Sequence, residues 1–226
     1  DLHLSIRRQR QMCIRDSPNI INFESVFGLE ELKWSNPDMP LYDVTFPFIR
    51  MVQGPVDYTP GAYRNATREG FRIDYRNPMS QGTRAHQVAA YVVFDAPLVM
   101  LCDSPTRYMA DEACTRFIAS LPVVFDTTRV LAGEIGEYIV TARKRQDCWY
   151  VGGLTGWTPR TLDVDLSLLD PGREYTATLL ADDGRSAAEP ARYVLSTQRV
   201  TSATRLQIPV APGGGFALKI EPADNK

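Results

Sequence analysis

Asn19-Ile20-Ile21-Asn22-Phe23-Glu24-Ser25-Val26-Phe27-Gly28-Leu29-Glu30-Glu31-Leu32-Lys33-Trp34 is the stretch on which the reading of this chain turns. Ile20 and Ile21 form a short apolar run fit for a buried strand. Two carboxylates follow, Glu24 and Glu30, with Gly28 between them. Carboxylates just past the end of a buried strand, on a loop punctuated by glycine, stand where barrel enzymes place active-site groups. A loop of solvated glutamates fits the same spacing, because charged loop residues are mostly exposed. The flanking sequence has to weigh one against the other.

Upstream lies a segment of different character. Arg7-Arg8-Gln9-Arg10-Gln11-Met12-Cys13-Ile14-Arg15-Asp16 back-translates into a string that resembles the transposase adapter used to build sequencing libraries. Asp1-Leu2-His3 fits the outer primer in the same way. Residues 1–17 are therefore expected to be translated adapter, with the natural sequence resuming near Pro18. A basic arm for nucleic acid or membrane is the other reading. No apolar run follows the arginines, so a signal peptide is not expected there. Different codons across Arg7 to Asp16 in the source DNA would overturn the adapter reading.

Leaving out Arg7, Arg8, Arg10, Arg15, Asp1 and Asp16 moves the formal net charge from −2 to −4. A mildly acidic chain lacks the electrostatic footprint of nucleic-acid binding. No apolar run is long enough for a membrane-spanning helix. Outside the adapter-like segment the cysteines are Cys102, Cys114 and Cys148. An odd count without a CxxC pair argues against a disulfide framework or a zinc site. Buried free thiols are expected, with a Cys102–Cys114 bridge as the alternative. His86, the one remaining histidine, excludes a multi-histidine metal centre. Its setting between Ala85 and Gln87 in a helical run suits a structural role.

Downstream of Trp34, a Pro- and Asp-containing loop leads to a helix over Tyr42–Gln53, which Pro47 should begin or kink. Gly54 to Gly61 reads as a very short buried strand entering a tight turn. Residues 62–79 form a long polar and aromatic loop, and such loops inside compact domains are usually functional. Ser80 should cap a helix running to Asp95. Leu98 to Leu101 is apolar, and Asp103-Ser104-Pro105 should open a further helix to Leu121, stopped by Pro122. Strand, helix, strand, helix, helix is the order of an α/β unit with parallel strands.

From about Val123 the period changes to two. Residues 137–143, 149–152, 161–166, 175–180, 193–196, 205–210 and 215–220 alternate, with turns at Asp170-Pro171-Gly172 and Asp182-Asp183-Gly184. Seven or so short strands at this spacing predict an antiparallel sandwich, and about a hundred residues suffice for an independent core. The expected division is residues 1–17 adapter, 18–122 α/β, and 123–226 sandwich.

Several ordered motifs carry a resemblance to the C-terminal part of family 97 glycoside hydrolases. They are Asn22-x-Glu24-x-x-x-Gly28-x-Glu30, Pro47-Phe48-x-Arg50 and Gly54-Pro55-x-Asp57-Tyr58-Thr59-Pro60-Gly61. Gln81-Gly82-Thr83-Arg84, Ala96-Pro97-Leu98-x-Met100 and Ala211-Pro212-Gly213-Gly214-Gly215 continue the match to about Ile220. The resemblance implies the last two strands and helices of a truncated (β/α)8 barrel, followed by a C-terminal antiparallel β-sandwich. It implies a bacterial α-galactosidase or α-glucosidase, acting outside the cytoplasm on saccharides. By position Glu30 matches the general acid and Glu24 a calcium (Ca2+) ligand. The nucleophile or base and the other calcium carboxylates match positions upstream of Pro18, so this polypeptide alone is expected to be inactive. The wording of the motifs leans toward the retaining, α-galactosidase branch.

The chemistry suits those residue types. An α-glycosidic bond breaks through an oxocarbenium-like state whose leaving oxygen needs a proton. A glutamic acid supplies it near neutral pH when burial or neighbouring negative charge holds the proton on. Calcium takes hard oxygen ligands, which a carboxylate offers. Glu31 should point away from Glu30. Asp57 and Arg84 read either as sugar-binding groups or as an ion pair with each other. A second function, a carbohydrate-binding sandwich with Trp149, Tyr150 and Trp157 as stacking platforms, stands beside the enzyme reading. Packing is the commoner use of aromatic residues in strands.

Overall fold

The computed structural model describes Asn22 and residues 25–223. The adapter-like segment, Ile20, Ile21 and Glu24 lie outside the described residues. The described chain is two connected parts. Residues up to about 124 are helical and loop-rich, and the remainder is β-structure.

The first part departs from the expected alternation. The helix expected over 42–53 is broken into α1 (Met39–Asp43), α2 (Phe46–Ile49) and a 3₁₀ turn, Met51–Gln53. Pro40 and Pro47 sit in the first turns of α1 and α2, where a missing N–H costs nothing. No strand forms over Gly54–Gly61; Val56 makes an isolated bridge, and its N–H donates to Asp95 O at 2.8 Å. The one parallel pairing among the described residues joins β1 (Asn65–Ala66) to β2 (Ser80–Gln81). Ser80 is therefore a strand residue. Thr83 caps the following helix instead, accepting from His86 N at 3.1 Å. That helix, α3, spans Arg84–Val93. The single helix expected from 105 to 121 is two, α4 (Pro105–Ala110) and α5 (Glu112–Ala119). Asp111 sits at the break and caps α5 through Cys114 N.

The second part holds eight strands. They are β3 (Thr127–Glu134), β4 (Tyr138–Arg145), β5 (Cys148–Thr155), β6 (Arg160–Asp165), β7 (Tyr175–Ala181), β8 (Val194–Val200), β9 (Arg205–Val210) and β10 (Gly215–Pro222). Six of them form an antiparallel sheet in the order β3-β4-β5-β10-β7-β8, and β6 pairs with β9 in a second sheet. All seven sequence-predicted strands are present. β3 was not among them, because it is mostly exposed and a bulge between Val130 and Ala132 breaks its two-residue period.

Both faces of the large sheet are covered in its middle. On one face Trp149, Val151, Phe216, Leu218 and Ile220 pack with Leu162, Val164 and Ile208 of the small sheet. On the other, Tyr150, Leu180 and Ala217 pack with Ala85, Val88 and Val92 of α3. Consecutive glycines make this possible. Side chains alternate across a strand, so Gly152 faces α3 and Gly153 faces Phe216. A Cβ on Gly152 would lie 2.9 Å from Val92 Cβ and 3.0 Å from Ala89 O. On Gly153 it would overlap the Phe216 ring. The sandwich therefore shares one face with the helical part, where the sequence suggested an independent core.

The loop after β7 carries Asp182. Its Oδ2 accepts from Ala211 N at 2.9 Å and Gly215 N at 3.0 Å. Burial nevertheless wins and holds its carboxyl above the ordinary carboxylate range. A raised folded-state value contributes stability at low pH that is lost as pH rises through it. Asp182→Asn should therefore gain stability relative to the natural protein between about pH 4 and pH 7. Urea unfolding at both pH values checks this, and a difference that is constant or moves the other way would refute it. At Gly152, alanine should cost about 1–3 kcal/mol through overpacking. An unchanged urea midpoint for Gly152→Ala would contradict the close helix–sheet approach.

Candidate active site

Glu30 sits on a 3₁₀ turn, Leu29–Lys33, entered from Gly28. Leu29 and Leu32 are buried, and three-residue spacing puts them on one side of the turn. They pack with Met39, Val44, Phe46, Val56 and Tyr58. That anchoring turns Glu30 outward, where it is exposed. Its carboxylate folds back over Gly28, so a Cβ there would overlap it. Thr59 Oγ1 donates to Glu30 Oε2 at 3.4 Å. Glu31 is committed elsewhere, its Oε2 accepting from Trp34 Nε1 at 2.7 Å.

Glu30 lines an open cavity of about 880 Å³. Asp57 and Thr59 share its wall, with Cys102 and Asp103 beside them. Asp57 is exposed but flanked by Val56 and Tyr58, at 0% and 1% exposure, which fix its backbone. Lys33, Arg64 and Arg76 bring positive charge to the same cavity. Arg64 and Arg76 come from the long polar loop at 62–79, whose role the sequence suggested without naming these residues. Asp74 shapes that loop by accepting from Arg76 N and Asn77 N, each at 2.9 Å. The Asn77 hydrogen bond leads the effects that hold its carboxyl below the ordinary range. Cys102 is a free thiol pushed up to about 12, first by burial and then by Asp103 and Glu30. It stays protonated and is a poor nucleophile. Cys114 and Cys148 are free as well, so the Cys102–Cys114 bridge does not form.

Arg84 does not pair with Asp57. Its three nitrogens donate to Asn65 Oδ1, Asp111 Oδ2 and Tyr63 O, each at 2.7 Å, and its guanidinium lies over the Tyr63 ring. It locks the start of the 62–79 loop to α3 and α5. His86 is fully buried. Its Nδ1 faces Gly214 O at 3.1 Å and its Nε2 faces Asp43 Oδ2 at 3.0 Å. A carbonyl only accepts, so Nδ1 carries a proton.

The stacking platforms do not exist as such. Trp149 and Tyr150 are 5% and 6% exposed, one on each covered sheet face. Neither ring is open to solvent, because the small sheet covers one face and α3 the other. Trp157 is half-buried, and its Nε1 donates to Asp38 Oδ1 at 2.7 Å. Among the described residues no group of three or more His, Cys, Asp or Glu side chains could hold a metal ion. Glu24, the expected calcium ligand, lies outside the described residues. No described helix is long and apolar enough to cross a membrane.

Comparison with known proteins gives consistent relatives. Residues 124–221 match the family model described as glycosyl-hydrolase 97 C-terminal, oligomerisation. A retaining α-galactosidase of Bacteroides thetaiotaomicron is 49% identical over 209 residues, covering 92% of this chain and 31% of that protein. A probable retaining α-galactosidase of Streptomyces bingchenggensis is 31% identical over 206 residues, covering 90% of this chain and 28% of that protein. Among solved structures, a family 97 enzyme of Pseudoalteromonas sp. strain K8 superposes with a TM-score of 0.82 at 28% identity, over 92% of this chain and 32% of that one. The chain thus spans about a third of the length of these relatives. Residues 124–221 match the C-terminal model of family 97 glycoside hydrolases, and over 90–92% of its length the chain is similar to proteins named as retaining α-galactosidases or as enzymes of that family.

Proposed function

We propose that this chain forms the leaving-group side of the active site of a retaining α-galactosidase. Glu30 is the general acid, giving its proton to the departing glycosidic oxygen as the bond stretches. The observation that carries this is the turn at Leu29–Lys33. It presents Glu30 to the cavity, fixes it through Thr59, and ties Glu31 to Trp34. The galactoside reading rests on the 49% identical relative, which is named for that activity. An α-glucosidic substrate is the alternative. It is favoured by the Pseudoalteromonas enzyme, which was solved with acarbose and with panose.

The helical part is, in this proposal, the end of a (β/α)8 barrel. Leu98, Met100, Leu101 and Met109 are 52–81% exposed, two of them on the cavity wall. Exposed apolar groups in such number suit a surface that further chain covers. Calcium enters the proposal through the family resemblance, with Glu24 as a ligand. When bound it would fix charge beside the sugar. For residues 124–221 we propose a role in oligomerisation, which the family model's description supports.

In the full-length protein, Glu30→Gln should lose at least about a hundredfold in kcat on a natural α-galactoside. It should spare much of the rate on p-nitrophenyl α-galactoside, whose leaving group needs little protonation. Near-normal turnover of a disaccharide by this variant would remove the acid assignment. Gly28→Ala should lower the same rate while leaving the urea midpoint unchanged, because the nearest atoms a Cβ there would meet belong to the exposed Glu30 carboxylate. Chelation with EDTA should abolish turnover, and added calcium should restore it in the natural protein but less completely in Glu24→Gln. Full activity after exhaustive chelation would exclude the calcium role.

A further inference from the structure

The six-stranded sheet has two edges of different character. At one, β3 is bulged between Val130 and Ala132 and carries Arg129 and Glu134, and the Phe48 ring packs against its Gly133. Bulges and charges are the devices by which sheets avoid edge-to-edge pairing. At the other edge, β8 reads Val194-Leu195-Ser196-Thr197-Gln198-Arg199-Val200. It has no proline and no lysine, and it pairs with β7 in an unbroken register.

Val194 to Arg199 are all exposed. Successive side chains point to opposite faces, so both faces of β8 are open and the strand extends beyond the cover given by the small sheet and by α3. Val194 and Leu195 are 40% and 43% exposed. About half of its backbone N–H and C=O groups point away from β7. Among the described residues no other segment makes a backbone hydrogen bond to that outer edge. Ordering each residue of a strand costs backbone entropy. A strand open on both faces recovers little of that by burial.

We propose that β8 is the pairing edge of an isologous dimer, in which β8 of a second copy of this chain adds antiparallel to it. The inference rests on the oligomerisation reading above and names the surface and the partner. A two-fold axis at Thr197 sets Thr197 against its own copy, Ser196 against Gln198 and Val194 against Val200. Arg199, the only charge in the strand, then faces Leu195 and never another arginine. The two large sheets become one continuous sheet, and the outer backbone groups are paired. Strand addition of this kind takes its affinity from main-chain hydrogen bonds, and a two-fold axis makes the surface its own complement.

Size-exclusion chromatography with light scattering on the full-length protein tests this. The natural protein should run as a dimer. Thr197→Lys and Thr197→Glu, each placing like charges at the axis, should run as folded monomers, with dimerisation weakened at least tenfold. Mixing the two variants should restore the dimer. Thr128→Lys, on the opposite edge, should remain dimeric. If Thr197→Lys does not fold, the double variant Ser196→Lys/Gln198→Lys, which sets lysine against lysine in the same pairing, carries the same test. A monomeric natural protein would overturn the oligomerisation reading and this inference with it. A dimeric natural protein whose Thr197 variants stay dimeric, or whose mixed variants stay monomeric, would overturn the assignment to β8 alone.

Discussion

A buried chain of polar contacts ties the helical part to the sandwich. Tyr58 Oη donates to Asp43 Oδ1 at 2.9 Å, Asp43 Oδ2 meets His86 Nε2 at 3.0 Å, and His86 Nδ1 meets Gly214 O at 3.1 Å. All three residues are at most 1% exposed. The chain crosses four segments: the Asp57-bearing loop, the end of α1, helix α3 and the glycine-rich turn before β10. Each member is costly to bury alone and acceptable only with its partner in place. The Tyr58 phenol is held well above its ordinary range, first by burial and then by Asp43, so it remains a donor. Apolar contacts set the volume between the two parts, while this chain sets their registry. Asp57 and Thr59, on either side of Tyr58, are consequently positioned at the cavity by a contact that also holds the sandwich.

Legibility in the sequence followed the balance of local and tertiary forces. Most sandwich strands were readable because one face meets a continuous core and the other is polar or packed, which preserves a two-residue period; β8, exposed from Val194 to Arg199, was read only over 193–196. β3 was not, since an exposed, bulged edge strand has no period to read. In the first part the expected parallel strands depended on Ile20 and Ile21, which lie outside the described residues, and on Gly54–Gly61, which forms only a bridge at Val56. The motif residues around Glu30 were legible as chemistry. Their geometry was not, because the outward turn of Glu30 depends on Leu29 and Leu32 finding partners far along the chain. Lys33, Arg64 and Arg76 went unread for a related reason. Nothing in a polar loop's sequence says which of its cations face a cavity.

Arg84 and Trp149 illustrate a more general limit. Each was given a plausible solvent-facing role on the strength of its residue type. Arg84 is instead consumed by three acceptors and a ring, and Trp149 by the sandwich core, with Arg129 and Lys144 near its face. Residue chemistry limits what a side chain can do, but burial decides whether it is free to do it. Glu30 differs because its anchoring neighbours are apolar and its own partner, Thr59, is a single weak donor at 3.4 Å. A group held in direction and left otherwise uncommitted is suited to giving up a proton.

The glycine-rich turn explains why a sandwich is joined to the cavity at all. Gly82 and Gly213 both adopt positive φ, at 82° and 61°. A Cβ on Gly82 would overlap Gly213 O, and one on Gly213 would lie 3.0 Å from Gly82 Cα. The two backbones therefore touch in a way that only glycine permits. Thr83 N donates to Gly213 O at 2.9 Å in the same contact, and Thr83 caps α3. Gly82 in turn ends the loop that carries Arg64 and Arg76, its N–H donating to Ala66 O at 3.0 Å. One turn of the sandwich thus fixes both the start of the core helix and the closing end of the cavity loop. The stretch Ala211-Pro212-Gly213-Gly214-Gly215 contributes no catalytic side chain. It braces the end of the cavity loop through Gly213 against Gly82, while a Cβ on Gly214 would overlap Asp182 and one on Gly215 would crowd Gly153 O, so each of the three glycines lacks a side chain for its own reason.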